Sequence, residues 1–262
     1  MAERDLVEVE HLDGIAHVVL ADPQRRNVLS EPMIDALLDA YDRAEADPAI
    51  RCVVLGARGA AFCAGAELEV LERSATGDFS GVERVYRAFL RVAESALPTI
   101  AVVDGPAVGA GFNLALACDL RVTSSGAAFD SRFTALRLLP GGGHVWLLER
   151  AVGRQAATAM ALFGERIGAD DAHRLGLVWS VSATPEDALE RARVLADRIA
   201  GVEREFVTAL VGSLRDAASV GSHDLAVTDE RYTQRWSVTR PDFLSEVRNM
   251  RARVERADRG ER

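Results

Sequence analysis

Apolar positions along the chain follow two rhythms, and the switches between them mark out the elements. Val7-Glu-Val-Glu-His-Leu12 and Ile15-Ala-His-Val-Val-Leu20 are rich in β-branched residues and flank Asp13-Gly14, the dipeptide most typical of a tight turn, so they predict a hairpin. Cys52-Val-Val-Leu55 and Thr99-Ile-Ala-Val-Val103 are unbroken apolar runs, which predict strands buried on both faces. Helical spacing begins after Ser30, a good N-cap with Pro32 in the first turn, and continues to about Ala46 with Met33, Leu37, Leu38 and Tyr41 on one face. It returns over 67–73, over 82–96 with the stripe Val85, Phe89, Val92 and Ala96, and around Leu114, Leu116 and Cys118; residues 74–81 are a small, polar interruption.

Further strands are expected at 120–123 and 127–130, and a helix start at His144. Helix pieces follow over 168–200, and beyond Gly201 helices over 202–214, 225–238 and 241–250 precede a charged tail. Repeated strand, turn and helix units over 50–180 predict an α/β fold wound as a right-handed parallel spiral of β-β-α turns. The expected organisation is a core over 1–200 and a C-terminal helical segment over 201–262. Apolar residues of that segment, Trp236 and Phe243 among them, call for either a partner subunit or an internal core.

Two of the apolar strands feed the same construction. Residues 52–55 lead through Gly56-Ala-Arg-Gly-Ala-Ala-Phe-Cys-Ala-Gly-Ala66 into the 67–73 helix, and 99–103 lead through Gly105-Pro-Ala-Val-Gly-Ala-Gly111 into the next. Small residues at a helix start leave N–H groups uncovered where the helix dipole is positive, a geometry suited to an anion or a developing oxyanion. If Ala66 and Ala110 sit opposite one another, their two amides can grip one oxygen.

Composition narrows the classes. At 262 residues and 48% hydrophobic the chain can build a sizeable core, and no stretch approaches the ~20 consecutive apolar residues of a membrane span. Met1-Ala-Glu-Arg-Asp is too polar to begin a secretory signal, so no membrane association and a cytoplasmic location are expected. All 31 basic residues are arginine, which excludes a lysine Schiff base or a lysine-dependent phosphate loop. A net charge of −9 argues against nucleic-acid binding. Cys52, Cys63 and Cys118 have no metal-type spacing and read as buried thiols, with no metal site expected. His11 and His17 read as ordinary strand residues.

Phe62-Cys-Ala-Gly-Ala-Glu-Leu68, Gly105-Pro-Ala-Val-Gly-Ala-Gly111 and Ala117-Cys-Asp119 together resemble the enoyl-CoA hydratase/isomerase (crotonase) superfamily. Arg26-Asn-Val-Leu29, Pro140-Gly-Gly-Gly143 and residues 164–178 fit the same pattern, so the resemblance covers roughly residues 5 to 200 in order. It implies a crotonase-like spiral with a C-terminal trimerisation segment, hence a homotrimer or dimer of trimers. The implied ligand is an acyl-CoA thioester, with no cofactor beyond its coenzyme A moiety. It further implies Ala66 and Ala110 as oxyanion-hole amides, with Arg26 and Val28 near the nucleotide. The implied substrate-binding set also includes Ala64, Gly65, Glu67, Leu68, Gly109, Asn113, Phe133, Pro140 and Gly141, while residues 82–96 wall the acyl pocket. Arg25 reads as a solvated neighbour.

The family's two catalytic glutamates fall, by the same alignment of motifs, on Asn113 and Phe133. Neither side chain exchanges a proton near neutral pH, so hydration by paired carboxylates is disfavoured. His144 and Asp130 are the candidate acid–base groups. His144 has a suitable intrinsic pKa, which a helix N-terminus would lower, but it could equally cap the helix or pack against Trp146. Asp130 is two residues from Arg132 on an expected strand, one face holding both, and reads first as its salt-bridge partner. Glu67 reads as compensating a helix dipole in a first turn. Three functions remain: a hydratase or isomerase with an altered acid–base set, an acyl-CoA-binding protein without turnover, or a thioester hydrolase or decarboxylase.

Overall fold

A computed structural model describes residues 5–258. The hairpin forms at the expected residues, with β1 (Val7–Leu12) antiparallel to β2 (Ile15–Leu20). Then come α1 (Glu31–Ala46), β3 (Cys52–Ala57), α2 (Leu68–Ser74), α3 (Ser80–Ala93), β4 (Thr99–Val103), β5 (Pro106–Val108) and α4 (Ala110–Ala117). They are followed by β6 (Leu120–Ser124), β7 (Ala128–Asp130), α5 (His144–Ala161), β8 (Ile167–Gly168), α6 (Ala169–Arg174), β9 (Ser180–Ser182) and α7 (Pro185–Ala200). The chain divides into two compact units, the first ending at Arg204 and the second beginning at Glu205. The second is built from α8 (Arg204–Ala217), α9 (His223–Ser237) and α10 (Pro241–Asp258). Among the described residues no helix is long and apolar enough to cross a membrane.

The first unit contains a six-stranded sheet in the order β1-β2-β3-β4-β6-β9, parallel apart from the hairpin. Its central strands lack polar alternation because both faces are covered. Val53, Leu55, Ala101 and Val103 enter the main core with Leu37 and Tyr41 of α1. The alternate residues Cys52, Val54, Ile100 and Val102 pack on Ala188, Ala192 and Ala196, which recur every fourth residue along α7. A second, three-stranded sheet runs β5-β7-β8, with β5 and β7 parallel. That parallel pair brings the ends of two strands to the same edge, where the candidate site lies.

Some boundaries depart from the sequence expectations. The helix expected over 82–96 is α3, which starts at Ser80 and stops at Ala93, leaving Ala96 exposed in the connection to β4. The described part of the charged tail is helical, since α10 continues to Asp258, and residues 259–262 lie outside the described residues. All three cysteines are buried and none is in a disulfide among the described residues. Burial pushes the thiols of Cys52 and Cys63 up to about 12, so neither is a thiolate near neutral pH.

Candidate active site

The site grows out of the two small-residue turns. The first is tied to the chain before α1: Ala64 N–H donates to Arg26 O at 2.9 Å, and Leu29 N–H to Gly65 O at 2.8 Å. It is tied equally to the second turn, Val108 N–H donating to Cys63 O at 3.0 Å. The turns approach so closely that only glycine fits between them. A β-carbon on Gly65 would lie 2.7 Å from the Val108 carbonyl oxygen and 3.4 Å from the Ala110 nitrogen, and one on Gly111 would overlap the Cys63 carbonyl. Among the described residues no main-chain acceptor meets the N–H of Ala66 or Ala110. Ala110 is the first residue of α4, so its free amide is one of the helix's uncapped donors.

Asn27 holds this arrangement from beneath, a residue to which sequence reasoning assigned no role. It is fully buried; its Nδ2 donates to the carbonyls of Arg58 and Ala61, both at 2.9 Å, and its Oδ1 accepts from Asp22 N–H at 2.9 Å. Polar atoms fully satisfied in a buried position fix one loop shape. The signal was present in Arg26-Asn-Val-Leu29, but the partners of Asn27 are some thirty residues away in sequence.

A cavity of about 660 Å³ opens beside the turns. Its walls include Arg26, Val28, Ala64, Gly65, Ala66 and Glu67 on one side, and Leu68, Gly109, Ala110, Asn113, Phe133 and Gly141 around the rest. Val85 and Phe89 of α3 add apolar surface. Arg25 is in the wall as well and pairs with Glu67. Glu67 is therefore not in a helix first turn: its backbone is extended, it precedes α2, and its charge is met by Arg25. Among the wall residues neither Pro140, Asp130 nor His144 occurs.

Asp130 sits one cavity away. It is 7% exposed, and its Oδ2 accepts from Arg132 Nε at 2.9 Å and Nη2 at 2.6 Å. The ion pair forms as expected, but not because the two residues share a strand face. The strand ends at Asp130, and Arg132 folds back with a φ of +58°. Asp130 and Arg132 face a smaller pocket that also includes Arg26 and Arg166.

His144 is 1% exposed and lies directly behind the cavity wall. Its ring packs between Phe112 and Phe133, centroids 5.4 and 5.0 Å away, and not against Trp146, which stacks under Arg150. Nδ1 is 2.6 Å from Asn113 Oδ1, and Nε2 is 2.8 Å from Ser131 Oγ. The amide of Asn113 has its own anchor, Nδ2 donating to Gly141 O at 3.1 Å. With Nδ2 so committed, Oδ1 faces the imidazole as an acceptor, so Nδ1 carries the proton and Nε2 is bare. The Ser131 hydroxyl must then donate to Nε2. Burial lowers the His144 pKa from 6.5 to about 4, so the imidazole is neutral around pH 7. Ser131 itself is 1% exposed and part of the cavity wall, and sequence reasoning did not single it out.

Behind α4, Arg121 closes the other end of the helix. It donates from Nε to Leu177 O at 2.7 Å and from Nη1 to Cys118 O at 2.7 Å and Ala115 O at 3.3 Å. A cation there complements the negative end of the helix dipole.

A family model described as Enoyl-CoA hydratase/isomerase matches residues 10–235. The Mycobacterium tuberculosis protein named Probable enoyl-CoA hydratase EchA14 is 42% identical over 254 residues, covering 94% of this chain and 98% of its own. The 1,2-epoxyphenylacetyl-CoA isomerase of Escherichia coli is 32% identical over 239 residues, covering 89% of this chain and 90% of its own. Among solved structures, an enoyl-CoA hydratase from Polaromonas sp. JS666 superposes with a TM-score of 0.81 at 31% identity, over 88% of this chain and 91% of that one.

Proposed function

The chain belongs to the enoyl-CoA hydratase/isomerase family, and from that premise we propose that it transforms an acyl-CoA whose thioester carbonyl is held between the main-chain amides of Ala66 and Ala110. The observation that carries the reading is the interlock of the two turns, in which Gly65 and Gly111 allow two amides without main-chain acceptors to adjoin at one cavity. Two such donors stabilise an enolate or tetrahedral oxyanion, each by about 3 kcal/mol. The nucleotide end of the ligand lies toward Arg26 and Val28, and the acyl chain toward Val85, Phe89 and Phe133. The first unit is read as the family's spiral of β-β-α turns, and the second unit as the segment that assembles trimers.

The reaction is of the hydratase or isomerase type with an altered acid–base set. Asn113 and Phe133 stand where the resemblance puts the two glutamates, so proton traffic falls to another group. Asp130 is neutralised by Arg132 and turned to a neighbouring pocket, whereas His144 reaches the cavity through Ser131 and Asn113. We therefore assign the proton to His144. The test is incubation with a panel of α,β-unsaturated acyl-CoAs, following loss of the conjugated absorbance. Turnover that His144→Gln abolishes and Asp130→Asn spares supports the assignment; the reverse pattern refutes it. Tight binding without conversion of any member would mark a binding protein.

A further inference from the structure

Ser131, His144 and Asn113 make a connected set that can do more than pass a proton. We propose that Ser131 is a nucleophile toward the bound thioester, so that the site also hydrolyses acyl-CoAs through an acyl-serine. This rests on the carbonyl position proposed above and adds an activity to it.

The argument is geometric. Nucleophilic serine catalysis needs a hydroxyl on a bare imidazole nitrogen, a third group orienting the imidazole, and oxyanion donors beside the hydroxyl. The first is the 2.8 Å contact of Ser131 Oγ with Nε2, whose lone pair the Asn113 contact leaves free. The second is Asn113, itself fixed by Gly141 O. The third follows from topology. Val108 and Asp130 are paired at the ends of parallel strands β5 and β7, and Gly109 N–H donates to Asp130 O at 2.9 Å. Ser131 and Gly109-Ala110 therefore leave the sheet side by side. Ser131 and Asn113 are in the cavity wall and His144 is bonded to both, so the base adjoins the nucleophile at the cavity.

The step balances without an added reagent other than water. Ser131 Oγ bonds to the thioester carbon as its proton passes to Nε2, and the two amides hold the oxyanion. On collapse the C–S bond breaks, its electron pair leaves on sulfur, and Nε2 protonates it to the coenzyme A thiol. Water then adds to the acyl-serine, giving a proton to Nε2, and the ester C–O bond breaks as that proton returns to Ser131 Oγ. The products are a carboxylic acid and free coenzyme A.

Saturated acyl-CoAs of graded length separate this activity from the family's, because they carry no double bond to hydrate or shift. The full chain is mixed with each, thiol release is read with a disulfide reagent, and trapped protein is weighed by intact mass and mapped. Buried Cys52, Cys63 and Cys118 keep the background low. The expected result is a burst of thiol matched by an acyl adduct on Ser131, with Ser131→Ala lowering release about a thousand-fold while still binding ligand, and Ser131→Cys restoring the adduct. Thiol release that Ser131→Ala leaves unchanged overturns the inference. So does its absence across the panel while a conjugated acyl-CoA still shows the red shift of a polarised carbonyl. Absence of both release and red shift overturns the carbonyl position as well.

Discussion

Replacing His144 with Gln tests the buried imidazole without knowledge of the substrate. In the fold its pKa is about 4, against 6.5 for the free side chain. Between those values the unfolded chain binds a proton that the folded chain refuses, so this group's contribution to stability falls as pH drops below 6.5 and levels off near 4. At 1.36 kcal/mol per unit, a shift of this size comes to roughly 3 kcal/mol in full, of which about 2 kcal/mol is lost between pH 7 and pH 5. Because the ring is 1% exposed, solvent screening takes little of this away. Other groups add their own acid sensitivity, so the quantity to measure is a difference of slopes. Urea unfolding of the wild type and His144→Gln is followed at pH 7, 6 and 5. Gln lowers stability at pH 7 by disturbing the contacts to Ser131 and Asn113, and the gap should narrow by about 2 kcal/mol on reaching pH 5. Parallel slopes would refute a neutral, desolvated His144.

Ala110→Pro deletes one amide donor at a first-turn position where proline is tolerated; turnover should fall about 100- to 1000-fold with a shrunken carbonyl red shift, and an undiminished shift would remove Ala110 from the oxyanion site. Gly111→Ala drives a methyl into the Cys63 carbonyl, and denaturant unfolding should report a loss of about 1–3 kcal/mol; an unchanged midpoint would mean that the turns are not interlocked. Arg121→Met leaves the carbonyls of Leu177, Cys118 and Ala115 short of a donor, and should cost about 3 kcal/mol in the same assay, with less than about 1 kcal/mol arguing that the cation is dispensable.

What could be read from the sequence was what repeats locally. The Asp13-Gly14 turn, the Ser30 cap, which accepts from Met33 N–H, and the apolar runs of β3 and β4 each carry their reason within a few residues. The two small-residue turns were legible for the same reason, and the bonds between 63 and 108 show that they meet. The rest depended on meetings between distant residues. Asn113 and Ser131 reach His144 from 31 and 13 residues away, so the nearby Trp146 was the partner the sequence offered in their place. Arg132 met Asp130 through a left-handed turn that no strand periodicity encodes.

Tying down both ends of α4 has a kinetic meaning. Gly65 and Gly111 lock its front against the other turn, and Arg121 gathers the carbonyls at its rear, so the Ala110 dipole has little freedom to swing. Liquid water answering a newly formed negative oxygen must first rotate its molecules, and that rotation is part of the barrier. Under the proposed function that orientation is fixed as the chain folds, before any ligand arrives, so an oxyanion formed there meets a field already aligned.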